Sequence, residues 1–366
     1  MHLYIHVPFC ARRCTYCDFA IAVRRQVPSQ AYTEVVLREW ADWQLHEIWS
    51  LSDRIETVYF GGGTPSRLEP DAVARLLERI GRDRPLAEHA EVTLEANPDD
   101  VTGASARAWR AAGVNRVSLG AQSFDSAALG WMHRTHSEEQ TGAAVEALRA
   151  AGMPELSLDL IFGLPTALGR DWPADLDRAI ALGPDHLSLY GLTVEDHTPL
   201  GRWAARGEVT PVDEERYAAE FLEADARLGS VGYEHYEVSN YARNGRRARH
   251  NSAYWRRAPY IGIGPSAHSG WEGNRRWNLR EWSGYERAVR AGESPVGGAE
   301  RLEPGAVELE QLYLGLRTLD GVPVDRLSPE TARAWIQSGW ARSTGSVLGL
   351  TPEGWLRLDA LALAAR

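Results

Sequence analysis

Residues 10–17 read C-A-R-R-C-T-Y-C, and Cys10, Cys14 and Cys17 are the only cysteines in the 366-residue chain. A thiol supply confined to one short stretch calls for a chemical reason. An extracellular disulfide framework uses an even number of cysteines spread more widely. A zinc site needs a fourth ligand, for which His6, Asp18 or a distant histidine would have to serve, and C-x3-C-x2-C is not the usual zinc spacing. Chance clustering of inert buried cysteines is the plain alternative. An iron–sulfur cluster held by three protein thiolates accounts for the stretch best. Soft thiolates suit iron–sulfur chemistry, and its ligands pack at short intervals. With only three of them, one iron keeps a position open to a small molecule.

The strand-like L-Y-I-H-V-P (3–8) runs into these cysteines. A helix follows from about Gln30, with Tyr32, Val35, Val36, Trp40 and Trp43 at 3–4 spacing. E-T-V-Y-F (56–60) leads into G-G-G-T-P, and the next helix carries Val73, Leu76, Leu77 and Ile80 on one face. E-V-T-L-E (91–95), R-V-S-L-G (116–120), L-S-L-D-L-I-F-G (156–163) and H-L-S-L-Y-G (186–191) read as four more strands, separated by helical patterns of which the last covers 213–229. Six β-α units in succession imply a parallel sheet with helices outside. They are too few for a closed eightfold barrel and predict an α/β fold built as a partial (β/α)6, TIM-like barrel. A doubly wound sheet is the alternative. In parallel barrels the C-terminal strand ends converge on one site. Here those ends carry Cys10 to Cys17, Gly61 to Thr64, Glu95, Gln122 and Asp159, and the loop after the fourth strand adds Arg134.

Composition narrows the class. The chain is 44% hydrophobic and 25% charged, ordinary for a globular protein. No apolar run approaches the ~20 residues that span a bilayer, and M-H-L-Y-I-H-V-P-F-C lacks the layout of a signal peptide. These features predict a cytoplasmic protein, where thiols stay reduced, with no stable membrane insertion. A net charge of −10 argues against general nucleic-acid binding. All 40 Lys+Arg residues are arginine, so neither a lysine Schiff base nor a Walker-A lysine is available.

Gly61-Gly62-Gly63-Thr64-Pro65 lets a backbone approach a ligand closely, or is simply a turn. Glu95, in T-L-E-A-N-P, is placed to bind a hydroxyl or an ammonium; a helix-start acid is the plainer reading. Asp159, between Leu158 and Leu160, faces the barrel mouth or is buried with a partner. Gln122 and Arg134 are weaker signals on their own.

These residues together resemble the radical S-adenosylmethionine superfamily. The order of Y-I-H-V-P-F-C, G-G-G-T-P, E-A-N-P, G-A-Q-S-F and D-L-I-F-G-L-P is similar to its oxygen-independent coproporphyrinogen oxidase-like group, over about the first two-thirds of the chain. The resemblance implies a [4Fe-4S] cluster on Cys10, Cys14 and Cys17. It also implies S-adenosylmethionine in contact with Tyr4, Gly62, Gly63, Thr64, Glu95, Gln122, Arg134 and Asp159, with Tyr16 beside it. The true oxidases resemble C-x3-C-x2-C-x-C, preceded by an N-terminal extension. Here Phe19 takes the fourth cysteine's place and Cys10 comes almost at once, which matches the haem-chaperone branch. That branch implies haem and an acceptor protein of unknown identity as partners, with an electron donor if radical chemistry operates. The alternative is a radical oxidoreductase acting on a porphyrinogen, an oxygen-independent coproporphyrinogen III dehydrogenase.

H-N-S-A-Y-W (250–255) is similar to a stretch associated with haem in that branch. Histidine is a common axial ligand, so His250 is the candidate, with Tyr254 and Trp255 offering flat faces. Arg243, Arg246, Arg247, Arg249, Arg256 and Arg257 would meet haem carboxylates. A structural histidine in a solvated loop is the plainer reading, and His6, His235 and His268 compete as ligands. The G-I-G-P-S-A-H-S stretch (262–269) reads as a further cofactor-side loop or a simple turn. The predicted division is a barrel over 1–240, a barrel-closing segment over 241–295 and a C-terminal part over 296–366. The last begins with a linker at 297–305 and resembles a small winged-helix-like domain.

Overall fold

The computed structural model describes residues 1–365. Strands β1 (His2–Val7), β2 (Ile55–Gly62), β3 (Leu86–Ala96), β4 (Arg116–Gln122), β5 (Glu155–Phe162) and β6 (His186–Gly191) pair in sequence order, every pair parallel. Each is followed by a crossover helix: α1 (Ser29–Trp43), α2 (Pro70–Asp83), α3 (Gly103–Ala112), α4 (Glu138–Ala150), α5 (Trp172–Leu182) and α6 (Glu214–Ser230). This is the partial (β/α)6 barrel the β-α alternation predicts.

Period-two alternation sorts the strand side chains. Leu3, Ile5, Val58, Phe60, Leu94 and Leu119 lie in the core beneath the helices. The other face is polar, and its residues pair across the strands, with register shifts between Ile55 and Thr57 and between Leu119 and Gln122. Tyr4 pairs with Tyr59, Tyr59 with Thr93, and Thr93 with Arg116. Glu95 pairs with Ser118, Ser118 with Ser157, and Asp159 with Ser188. TIM-barrel interiors are usually packed with branched apolar residues; a polar interior is one built to hold a ligand.

The sheet continues past β6 through β7 (Glu234–Glu237) and β8 (Asn240–Ala242). The short helix α7 (Arg249–Trp255) follows. On the other side of β1 lie β9 (Tyr260–Ile263), β10 (His268–Trp271), β11 (Asn274–Asn278) and, after helix α8 (Trp282–Ala291), β12 (Val296–Arg301). The order is β12-β11-β10-β9-β1-β2-β3-β4-β5-β6-β8-β7, with the two edges unjoined. The linker expected at 297–305 is therefore mostly edge strand. Gly298 is required by packing rather than flexibility, since a side chain there would collide with the Trp277 ring across the pair, and one at 297 would press on Asn278 O at 3.1 Å.

Helix α9 (Pro304–Leu316) leads to β13 (Val322–Pro323), α10 (Pro329–Gln337), β14 (Ala341–Thr344), β15 (Val347–Leu350) and α11 (Leu358–Ala364). The strands form a separate antiparallel sheet, β13-β15-β14, giving the helix-and-wing order of a winged-helix-like domain. Arg317 pins it to the barrel by pairing with the fully buried Glu237 (3.0 Å) and lying 4.3 Å over the Trp255 ring.

Candidate functional site

The cysteine loop leaves β1 at Phe9–Cys10 and returns at Ala22–Val23, where the two segments pair in parallel. Ala22 N donates to Pro8 O (2.7 Å) and Arg24 N to Cys10 O (2.9 Å), so both ends are fixed. Cys10 is buried; Cys14 and Cys17 are half-buried. Two donors are aimed at sulfur: the Thr64 hydroxyl at Cys10 (3.3 Å) and the Arg134 guanidinium at Cys14 (3.7 Å). Burial pushes the Cys10 thiol up and the Cys17 thiol up to about 11, so metal binding there must displace protons. Among the described residues no three His, Cys, Asp or Glu side chains converge on a single point. A cube spaces its thiolates more widely, because each grips a different iron. Donors to sulfur are what tune such clusters, so the donor set fits one.

The neighbouring strand ends adjoin this loop. A Cβ on Gly63 would sit 2.7 Å from the Pro8 backbone, and one on Gly62, at φ +112°, would sit 2.6 Å from the His6 ring. Only glycine lets the end of β2 pass this close. Glu95 accepts from the Tyr59 hydroxyl (2.8 Å) and from Gly62 N (3.0 Å). Burial, reinforced by the nearby Asp159, pushes its carboxyl up to about 7. Asp159 accepts from Ser118 (2.9 Å) and is raised by burial too. Arg134 also donates to Asn97 Oδ1 (2.6 Å) and Gly120 O (2.8 Å), while its buried Nε has no partner. Gln122 ends β4 in the left-handed region, at φ 66°. Tyr16 packs against the small cluster of Leu129, Met132, Ile161 and Leu164. Tyr4 lies deeper; its hydroxyl donates to His6 Nδ1 (3.1 Å), whose Nε2–H donates to Ala20 O (3.0 Å). Tyr59, Asn97 and the serines around Asp159 were not singled out in the sequence. The alternation of polar residues along each strand was the signal that could have found them.

The H-N-S-A-Y-W stretch departs from expectation. It forms α7, whose first two amides donate to the Glu91 carboxylate (2.8 and 2.9 Å) at the floor of the barrel. His250 is 1% exposed. One ring nitrogen meets the Thr57 hydroxyl (2.6 Å) and the other the Tyr254 hydroxyl (2.8 Å). In this structure neither nitrogen is free for iron and the residue braces the barrel floor; ligation of haem by His250, as the sequence suggested, would require one of these two contacts to open. Five of the six nearby arginines are committed as well, Arg243 to Gly183 O, Arg246 to Glu155, Arg247 to Glu234, Arg249 to Glu56 and Arg257 to Glu310. His6 and His235 are likewise held, the latter between Asp225 and Val238 O. The glycines of 262–269 serve the chain's own packing: Gly264 N donates to the buried Glu39 (2.7 Å), and a side chain at Gly262 would strike His268 O.

Tyr254 and Trp255 do line a cavity. A cleft of about 1370 Å³ runs along the open side of the barrel, from these two residues to Asp18 and Phe19 just beyond the cysteines. The sheet extension forms one wall and α9 the other. Phe19 is 66% exposed.

The sequence matches the Radical SAM superfamily over residues 4–179. It is 37% identical to the heme chaperone HemW of Mycobacterium tuberculosis (strain H37Rv) over 362 residues, 98% of this chain and 93% of that protein. Identity to the mitochondrial radical S-adenosyl methionine domain-containing protein 1 of Bos taurus is 33% over 359 residues, 98% of this chain and 76% of that one. The fold superposes on the coproporphyrinogen III oxidase HemN of Escherichia coli with a TM-score of 0.81, over 99% of this chain and 88% of that one. Identity there is 20%, and the likeness is one of fold alone. The cysteine loop, the polar barrel interior and kinship along almost the whole chain agree: this protein belongs to the radical SAM superfamily and, within it, to the HemW family.

Proposed function

We propose that this protein is a haem chaperone, which binds haem and passes it to an acceptor protein while carrying a [4Fe-4S] cluster and an exchangeable S-adenosylmethionine. The observation that carries the reading is the three-thiol loop, with donors aimed at two of its sulfurs, beside a wide aromatic cleft in a chain of this family. Cys10, Cys14 and Cys17 would each hold one iron. When bound, the cluster supplies an electron and an open iron for the amino and carboxylate groups of S-adenosylmethionine. The glycine run at 61–63 offers backbone at close range, and Thr64 hydrogen-bonds to the cysteine side. Glu95 and Asp159 offer acceptors, Arg134 a fixed cation, and Gln122, Tyr4 and Tyr16 the remaining surface. On this reading 1–240 would carry the cluster and 241–295 would close the barrel floor and one wall of the cleft, with the C-terminal part that begins at 296 contributing α9 as the opposite wall.

No helix among the described residues is long and apolar enough to cross a membrane. With reduced thiols required, we place the protein in the cytoplasm, independent of nucleic acid, with an electron donor wherever the cluster is reduced. Anaerobically reconstituted protein loaded with haem, mixed with an apo haem protein, tests the reading. The expected result is release of haem to the acceptor and no conversion of coproporphyrinogen in the presence of S-adenosylmethionine and a reductant. Protoporphyrinogen formation without haem uptake would instead support the porphyrinogen oxidoreductase.

A further inference from the structure

The lateral cleft has a chemistry of its own. Its volume of about 1370 Å³ exceeds the ~300–1,000 Å³ of ordinary small-molecule pockets. Helix α9 reads P-G-A-V-E-L-E-Q-L-Y-L-G-L, yet of its residues only Leu316 is buried. Val307 and Leu314, seven positions apart and so on one face, line the cleft without being covered. With Glu308, Glu310 and Gln311 lining the cleft beside these half-buried apolar residues, the groove is amphipathic and suits a ligand with an apolar body and charged groups.

The facing wall carries His268, at the start of β10. It is exposed, and its ring stacks on Trp277 of the paired strand (centroids 5.8 Å apart, 27° between planes). Among the described residues neither ring nitrogen has a hydrogen-bond partner, unlike those of His6, His186, His235 and His250. Two residues on, a Cβ at Gly270 would lie 2.7 Å from the Tyr260 ring, so glycine there leaves a flat aromatic floor. Arg257 and Arg275 are both paired with Glu310. Arg301 has no carboxylate partner among the described residues. Arg280 donates to the Asp18 carbonyl (2.9 Å) with the Asp18 carboxylate 3.9 Å away, and its side chain, 60% exposed, keeps further donors open.

We propose that haem lies in this cleft, between the sheet wall and α9, with His268 as an axial ligand to its iron and Arg280 and Arg301 meeting its propionates. The proposal rests on the haem-chaperone reading and names the seat that reading lacks. The apolar macrocycle covers Val307 and Leu314, and the propionates reach the exposed Arg280 and Arg301, turned away from Asp18, Glu272, Glu303 and Glu308, which also line the cleft.

Haemin titrated into the full-length protein, followed by the Soret band and by EPR, provides the test. The wild type is expected to give a histidine-ligated spectrum. His268→Ala should lose it and bind about tenfold more weakly or worse, with added imidazole restoring the spectrum, and His268→Met should bind with an altered ligand signature. His250→Gln should keep the wild-type spectrum. Because His268 is exposed, its replacement leaves the fold intact, checked by circular dichroism. If the wild type binds haem and His268→Ala matches it in spectrum and affinity, this seat is wrong and the chaperone reading stands. If the wild type takes up no haem, the chaperone reading falls and the seat with it.

Discussion

Replacing His250 with alanine decides whether the H-N-S-A-Y-W helix is barrel floor or haem ligand. The side chain is 1% exposed and stacks 5.0 Å from Tyr59, with Tyr254 edge-on at 4.9 Å. Emptying that space resembles a buried large-to-small change, about 2–5 kcal/mol depending on how far the site collapses. Two hydrogen bonds are lost as well. Thr57 keeps His2 as a partner at 2.9 Å, so its hydroxyl is not stranded. The Tyr254 hydroxyl has no second partner among the described residues, and leaving this half-buried donor unpaired costs toward the lower end of about 1–3 kcal/mol. Allowing for overlap between these effects, alanine should destabilise the protein by roughly 3–6 kcal/mol, a large part of the ~5–15 kcal/mol typical of a fold. Urea unfolding under anaerobic conditions, read by circular dichroism, measures it. His250→Gln, which keeps polar contacts and part of the volume, should lose less than half as much. A loss under about 1 kcal/mol for alanine, together with a vanished haem Soret band, would refute the reasoning and return His250 to the iron.

Gly63→Ala should lower the iron content after reconstitution, because its Cβ would press on the Pro8 backbone at 2.7 Å and shift the cysteine loop; unchanged iron would count against that packing. Glu95→Gln should change how stability depends on pH. The folded carboxyl is raised to about 7, so the unfolded chain ionises first and the wild type loses stability as pH rises from about 4.5 to 7, by about 3 kcal/mol in all. Before cofactor is added, the variant should gain on the wild type across that window; a constant difference would contradict the shift. Arg317→Met leaves the buried Glu237 uncompensated, and should cost about 3–5 kcal/mol and expose the C-terminal domain to limited proteolysis. Thr64→Val removes the donor to Cys10, worth about 1 kcal/mol. The cluster potential should become more negative by about 40 mV for a one-electron couple, and an unmoved potential would remove Thr64 from the sulfur.

The barrel was legible because its signals are local. Each strand and crossover helix has its own period, and the six strands lie where the patterns put them. The cysteine loop was legible for the same reason. What sequence missed depends on distant partners. Nothing near His250 reveals Thr57, 193 positions away, so a floor histidine and a ligand read alike. The arginines around it look free until Glu155, Glu234 and Glu310 fold against them. Gly297 and Gly298 read as a linker because what they make room for, the Asn278 backbone and the Trp277 indole, lies on another strand. The cleft is the least local feature of all, since its walls come from segments on either side of β12.

Iron analysis combined with EPR of the reduced, anaerobically reconstituted protein, before and after S-adenosylmethionine is added, tests the central claim most directly. Three thiolates and an open position require about four irons per chain and a spectrum that changes when the cofactor arrives. Bound zinc, no cluster, or a spectrum indifferent to S-adenosylmethionine would contradict it.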